Sequence, residues 1–135
     1  MKITLLMLGF AALIIGATLM PLHAAPDLEA RDGSPMLIYV YSPECGACRQ
    51  FDGEVGAIYS KTNESLSLPM ERVLIDNWQA KRHQLVECAS TAVIGTPTFL
   101  QIQNCRELDR ITGYSDAELF WLGLWRMMNR INPSE

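Results

Sequence analysis

Two of the four cysteines stand three residues apart, in the sequence Cys45-Gly46-Ala47-Cys48. Residues three apart lie on the same face of a helix, so their sulfurs come within bonding range. A cysteine at the start of a helix meets free N–H groups and the positive end of the helix dipole, which lower the pKa of its thiol. The pattern predicts a redox-active pair in which Cys45 attacks a disulfide and Cys48 resolves the mixed disulfide.

Three other uses of such a pair fit the sequence less well. A purely structural disulfide of this span is uncommon at the start of a helix. Zinc requires two further ligands, and Cys88, Cys105 and His83 are not spaced as a second metal-binding knuckle. Attachment of a c-type haem requires a histidine after the second cysteine, where Arg49 stands. We therefore expect neither a metal nor a cofactor.

The elements that must position this motif follow from the hydrophobic pattern. Residues 36–41 form a continuous apolar run between two prolines, which predicts a buried strand directly before the motif. Ser115 and Glu118 have the spacing of a capping box, which predicts the start of the last helix. The same patterns predict further strands at 70–76, 96–102 and 106–112, and helices at 45–59, 79–91 and 116–130.

Taken in order, these elements are β-α-β-α-β-β-α. A strand–helix–strand unit implies a parallel pair joined by a right-handed crossover, and the closing hairpin adds antiparallel strands. We therefore predict an α/β fold with a central mixed four-stranded sheet and helices on both faces.

Length and charge exclude several classes of function. The chain has 135 residues, of which 49% are hydrophobic and 19% charged, so it is too apolar to be disordered and long enough for one domain. Lys and Arg number 11 against 15 Asp and Glu, which gives a net charge of −4. A basic surface for nucleic acid is therefore not expected.

The N-terminal segment predicts export. Lys2 is followed by an apolar run to Met20, a proline and two small residues, in the manner of a secretory signal. We predict a cleaved signal peptide over residues 1–25 and a mature periplasmic domain over residues 26–135. An uncleaved membrane anchor is the alternative, because the apolar run is just long enough to span a bilayer.

An oxidising compartment allows the other two cysteines to pair. Cys88 lies on the second predicted helix and Cys105 at the turn of the predicted hairpin. A structural disulfide between them would contribute about 3 kcal/mol to stability. The alternative is two free thiols, with Cys88 as a small core residue.

A second signature, Gly95-Thr96-Pro97-Thr98-Phe99, opens the third predicted strand. Together with the motif, the strands around it and Gly113 before the last helix, it resembles the thioredoxin superfamily. The resemblance implies that Pro97 is cis and packs against the disulfide, and that the backbone of Thr96 pairs with an extended substrate segment. Glu44 and Trp78 are further candidate substrate contacts, although packing for stability is an equal alternative for Trp78.

The sequence departs from thioredoxin at positions that affect the chemistry. Glu44 stands where thioredoxin has a tryptophan, Arg72 maps near its central lysine, and Tyr39 replaces the buried aspartate that accepts the proton of the second cysteine. The first strand and helix of thioredoxin also have no counterpart, so the predicted fold is a trimmed one. Because Glu44 opposes formation of a thiolate at Cys45, we expect that thiol to be only moderately acidic and the pair to be reducing.

A narrower resemblance lies outside the motifs that the superfamily shares. The chain is similar to the small periplasmic thioredoxins of bacterial sulfur-oxidation (Sox) clusters, the SoxS group, in five segments: 51–52, 58–62, 68–72, 105–114 and 120–121. This resemblance implies a protein-disulfide reductase that keeps the cysteine of a Sox carrier protein in its thiol state. Electrons would arrive from a membrane thiol transporter of the CcdA or DsbD kind. A non-catalytic redox-sensing regulatory module, and a disulfide oxidase or isomerase, are the alternatives.

Overall fold

The computed structural model describes residues 33–131 of the chain. The predicted signal peptide, residues 1–25, lies outside the described residues. Within the described part, none of the helices has both the length and the apolar character needed to cross a membrane.

Four strands form one mixed sheet. They are β1 (Met36–Tyr41), β2 (Met70–Leu74), β3 (Thr98–Gln103) and β4 (Arg106–Thr112), and they lie in the order β2-β1-β3-β4. β1 and β2 are parallel, whereas the other two pairs are antiparallel. The predicted α/β fold with a mixed four-stranded sheet is confirmed, and β1 and β4 have the predicted bounds.

Helices cover both faces of this sheet. The segment 46–59, which we call the motif helix, is α-helical at both ends and contains a π-helical stretch at Asp52–Gly56. The motif helix and the C-terminal helix cover one face, and a short helix with the chain that follows it covers the other. The α-helices are α1 (Gly46–Phe51), α2 (Ala57–Tyr59), α3 (Glu64–Ser67), α4 (Ile75–Gln79) and α5 (Ala117–Ile131).

β1 lies at the centre of the core. Its residues Leu37, Ile38, Tyr39 and Val40 are fully buried. Leu37 and Tyr39 pack against the motif helix and α5, while Ile38 and Val40 pack against α4 and the segment after it. Burial on both faces explains why this strand is a continuous apolar run instead of an alternating one.

The prediction of a second helix over residues 79–91 is wrong. The helix that follows β2 begins four residues earlier and ends at Gln79, and residues 80–97 contain a single 3₁₀ turn, at Val86–Cys88. Lys81 has a positive φ of 53°, which turns the chain out of the helical path. β2 accordingly ends at Leu74, two residues before the predicted end.

The predicted capping box at Ser115 is also wrong. The carboxylate of Asp116 accepts a hydrogen bond of 2.8 Å from the N–H of Leu119, so Asp116 is the N-cap of α5. The carbonyl of Ser115 instead accepts a hydrogen bond of 3.2 Å from the side chain of Gln50 on the motif helix. The helix therefore begins one residue later than the sequence pattern indicates.

This assignment predicts different effects for two neighbouring substitutions. Asp116→Ala should lower the free energy of unfolding by about 1 kcal/mol, because it removes the cap of α5. Ser115→Ala should change it much less, because only the backbone of Ser115 takes part in a bond. Urea unfolding of both variants measures the difference, and equal destabilisation by the two would contradict the assignment.

The irregular segment after α4 is held to β4 by side chains. The carboxylate of Glu107 accepts hydrogen bonds from the N–H and hydroxyl of Ser90, at 2.7 and 2.8 Å. Arg110 donates to the carbonyls of Thr91 and Ala92 and pairs with Glu107 at 2.7 Å. Burial alone would raise the pKa of Glu107, but the hydrogen bonds from Arg110 and Ser90 outweigh it and lower that pKa.

Glu107→Gln should therefore destabilise the protein in a pH-dependent way. A lowered pKa in the folded state contributes stability above the ordinary value of 4.5, and this contribution is lost as the pH falls through the folded pKa. We expect the substitution to lower the free energy of unfolding by roughly 1 kcal/mol at neutral pH and by less in acid. Urea unfolding against pH measures it. Glu87→Gln, which breaks the exposed pair with Lys81, serves as the control and should have little effect at any pH.

Candidate active site

Cys45 occupies the N-cap of the motif helix. Its backbone is extended, with φ −74° and ψ 114°, and its sulfur accepts a hydrogen bond of 3.0 Å from the N–H of Cys48. A sulfur in this position faces the free N–H groups and the positive end of the helix dipole, which favour the thiolate. Cys45 thus lies where the sequence pattern places an attacking sulfur.

Cys45 and Cys48 form a disulfide, with their Cα atoms 5.2 Å apart. Cys45 is partly exposed, whereas Cys48 is only 1% exposed and belongs to the core beneath the helix. A partner can therefore reach the first sulfur, and the second can attack only from behind it. This asymmetry is what a nucleophile and a resolving thiol require.

The loop before the motif is held by local hydrogen bonds. The hydroxyl of Ser42 donates to the carboxylate of Glu44 at 2.9 Å, and the N–H of Cys45 donates to the carbonyl of Ser42 at 3.2 Å. The guanidinium of Arg49 donates to the carbonyl of Pro43 at 2.9 Å. Glu44 is exposed, so its charge lies at the surface, one residue before the partly exposed Cys45.

The Thr96–Pro97 peptide bond is cis. Val40 near the end of β1 pairs with Thr98 at the start of β3, so the loop that contains Pro97 lies at the same edge of the sheet as the motif. The hydroxyl of Thr98 donates to the carbonyl of Gly95, and the N–H of Gly113 donates to the carbonyl of Pro97, each at 2.8 Å. These bonds hold a rigid loop in which Pro97 is buried and Thr96 is partly exposed.

Trp78 does not present a surface to a partner. Its side chain is 3% exposed, and its ring stacks on that of His83 with centroids 5.7 Å apart. The structure therefore favours packing for stability over substrate contact at this residue. The exposed apolar residue in this region is Ile94, which is 90% exposed in the loop before Pro97. An isoleucine next to the Gly-Thr-Pro signature was the signal in the sequence that could have identified it.

Cys88 and Cys105 form a second disulfide, which joins the 3₁₀ turn to the tip of the β3–β4 hairpin. Met36 pairs with Ile102 at the end of β1 opposite the motif, so this disulfide lies near the other edge of the sheet. Asn104 and Cys105 both have a φ of 51°, a conformation that fixes the tight hairpin turn. The bond ties the irregular segment to the sheet, away from Cys45.

A polar cluster joins the motif helix to β1 and β2. The hydroxyl of Tyr39 donates to the carbonyl of Cys48 at 3.3 Å, and burial raises the pKa of Tyr39. Arg72 on β2 binds the carboxylate of Asp52 through two hydrogen bonds, of 2.6 and 2.9 Å. Its guanidinium lies 4.9 Å from the centre of the Tyr39 ring and 4.7 Å from that of Tyr41. Sequence reasoning compared Tyr39 and Arg72 with thioredoxin but gave no role to Asp52.

Across residues 33–131, no group of three or more His, Cys, Asp or Glu side chains is arranged to hold a metal ion.

The sequence profile of the thioredoxin family matches residues 27–121. The chain belongs to the thioredoxin family. A thioredoxin-family chain that carries the Cys45–Cys48 pair is a thiol-disulfide oxidoreductase, and its substrates are protein disulfides. No curated protein matches the sequence significantly.

Solved structures support the assignment. The chain is similar to the reduced form of the periplasmic thioredoxin SoxS from Paracoccus pantotrophus, with a TM-score of 0.62 and 26% identity over 73% of this chain and 99% of that one. A thioredoxin from Malassezia sympodialis gives a TM-score of 0.53 and 17% identity over 70% of this chain and 78% of that one. Poplar thioredoxin h gives a TM-score of 0.53 and 22% identity over 78% of this chain and 82% of that one. The last two comparisons support the fold alone, whereas the first supports the narrower resemblance to SoxS.

The position of Glu44 predicts its effect on the reduced enzyme. Glu44→Gln should speed alkylation of Cys45 at neutral pH about two- to threefold, because it removes a like charge beside the thiolate, at the surface where salt screens it. The rate of alkylation by iodoacetamide, measured in a Cys48→Ser background, tests this. Glu118→Gln on the exposed side of α5 is the control, and an equal rate in both variants would contradict the prediction.

Proposed function

We propose that this thioredoxin-family chain is a periplasmic reductase of disulfides in a partner protein. The observation that carries the proposal is the asymmetry of the pair, with one sulfur accessible at the N-cap of a helix and the other buried behind it. The thiolate of Cys45 attacks one sulfur of the partner disulfide and releases the other as a thiolate. Cys48 then attacks the sulfur of Cys45, which releases the second partner thiol. Two electrons pass from the dithiol to the partner.

In this proposal, an extended segment of the partner binds at the surface around Cys45. The backbone of Thr96 lies at the same edge of the sheet as the motif and would pair with such a segment as an added strand, next to Pro97. Ile94 offers an exposed apolar side chain, and Glu44 offers an exposed charge. We propose that Glu44, Ile94, Thr96 and Pro97 contact the partner. Trp78 would support the loop before Pro97 from the core side.

Similarity to a periplasmic SoxS, together with the predicted signal peptide at residues 1–25, supports export to the periplasm. The same similarity supports a Sox carrier protein as the partner that is reduced. A reductase in an oxidising compartment requires a source of electrons, and a membrane thiol transporter of the CcdA or DsbD kind would supply them. The Cys88–Cys105 disulfide, near the opposite edge of the sheet, has a structural role in this proposal.

Trapping of the reaction intermediate tests this function. Cys48→Ser removes the resolving thiol, so a mixed disulfide between Cys45 and the partner should accumulate in the native periplasm. Non-reducing electrophoresis followed by mass spectrometry identifies both the partner and its cysteine. Cys45→Ser with Cys48→Ser is the matched control and should trap nothing.

A turnover assay separates the proposed reductase from the alternatives. The reduced wild-type protein, supplied with an electron donor, should reduce many equivalents of the trapped partner. A redox-sensing module would bind the partner in one oxidation state without turnover. An oxidase would instead form the disulfide of the partner, so net oxidation of the partner would exclude a reductase.

A further inference from the structure

The outer face of α5 carries a stripe of large apolar side chains. Leu119, Leu122 and Trp125 follow one another at intervals of three residues, and their side chains are 57%, 61% and 64% exposed. Residues three apart are neighbours on the surface of a helix. Single exposed apolar residues are ordinary on a protein surface, whereas a contiguous apolar patch marks a surface that another molecule covers.

The stripe points away from the core. On the inner side of α5, Phe120, Leu124 and Met127 are buried. Trp121 lies on the flank of the helix and stacks on Tyr59 of the motif helix, with ring centroids 6.2 Å apart. A molecule that binds the stripe would therefore approach α5 from outside and leave the motif helix in place.

A groove between α5 and β4 adjoins the stripe. Its lining includes Leu119, Leu122 and Trp125 from α5, together with Ile111 and Thr112 from β4. A large side chain from a facing surface can therefore bury apolar area against both elements.

Opposite charges lie at the two ends of the stripe. Glu118 is exposed at the first end, and no hydrogen bond or ion pair joins its carboxylate to another of residues 33–131. Arg126 lies at the second end, with 51% of its side chain exposed. Arg126 and Arg130 share the single carboxylate of Asp109, so two positive charges meet one negative charge there. The stripe thus has an unpaired negative charge at one end and an excess positive charge at the other.

A second copy of α5, placed antiparallel across this face, matches both the charges and the apolar side chains. With a two-fold axis at Leu122, each Glu118 faces the Arg126 of the other copy. Each Leu119 likewise faces a Trp125, and the two Leu122 side chains meet on the axis. A parallel arrangement would instead bring like charges together at each end, so the charges select the antiparallel one.

We propose that this face of α5 forms a homodimer in which two copies of the chain pack antiparallel about Leu122. Such a contact uses the same patch on both copies and closes as a dimer. Trp and Arg, which are enriched among the residues that contribute most to binding at interfaces, are both present in the patch. Each copy keeps its own pair of Cys45 and Cys48, so the inference does not depend on the proposed function.

Cysteine cross-linking tests the register of the dimer. In a background of Cys45→Ser and Cys48→Ser, Leu122→Cys places a thiol on the axis, where packed helices bring facing Cα atoms within the range of a disulfide. Mild oxidation should therefore give a covalent dimer on non-reducing electrophoresis.

Asn129→Cys is the matched control for this cross-link. Asn129 is exposed on the same face of α5 but lies seven residues from Leu122, so its two copies would be about 21 Å apart and should not cross-link. Equal cross-linking at both positions, or none at Leu122→Cys, would overturn the proposal.

Charge reversal tests the pairing of the two ends. Glu118→Arg and Arg126→Glu each bring like charges together at both ends of the dimer, so either chain alone should dimerise about tenfold more weakly than the wild type. An equimolar mixture of the two chains restores both opposite-charge pairs and should form heterodimers with nearly wild-type affinity. Sedimentation velocity measures the affinities, and circular dichroism checks the folding of Arg126→Glu, which also alters the contact with Asp109.

The apolar part of the contact has a control of its own. Leu122→Ser should weaken the dimer, whereas Leu66→Ser, which changes an exposed leucine outside α5, should not. A wild-type protein that remains monomeric up to millimolar concentration would overturn the proposal and assign the stripe to a different partner or to another segment of this chain. A mixture of the charge variants that binds no more tightly than either alone would overturn the antiparallel pairing.

Discussion

Burial of β1 on both faces is the constraint on which the rest of the structure depends. Four consecutive residues of this strand have no exposure, so a layer of helices or packed chain must cover each side of the sheet. The strand delivers the chain directly into the motif, and the helix that begins there covers one of those sides. The position of Cys45 is therefore set by the most deeply buried element of the protein, and this gives a reactive sulfur a rigid support.

The two sulfurs of the motif lie in different surroundings. The N-terminus of the motif helix stabilises negative charge on Cys45, while the exposed carboxylate of Glu44 opposes it. Beneath the helix, Cys48 belongs to a buried core cluster that is rich in aromatic rings. The first sulfur is therefore subject to opposing charges, whereas the second is subject to burial.

The two disulfides lie near opposite edges of the sheet. Cys45 and Cys48 follow the end of β1 beside the start of β3, whereas Cys105 follows the end of β3. Glu107 and Arg110 on β4 hold the irregular chain that leads toward Pro97. The loop that contains Pro97 is thereby anchored to β4 and to the second disulfide. These anchors matter because the irregular chain before the loop has few helical backbone hydrogen bonds.

The sequence alone determined the α/β fold, the strand before the motif and the helical start at Cys45, because continuous apolar runs and helical periodicity are local signals. It did not determine the path of residues 80–97, because that path depends on side-chain bonds to β4 and on the turn at Lys81. The cap of α5 at Asp116 and the burial of Trp78 were likewise decided by tertiary packing. The pair of Asp52 and Arg72 carried no signal in the sequence, since it forms only when β2 and the motif helix are packed together.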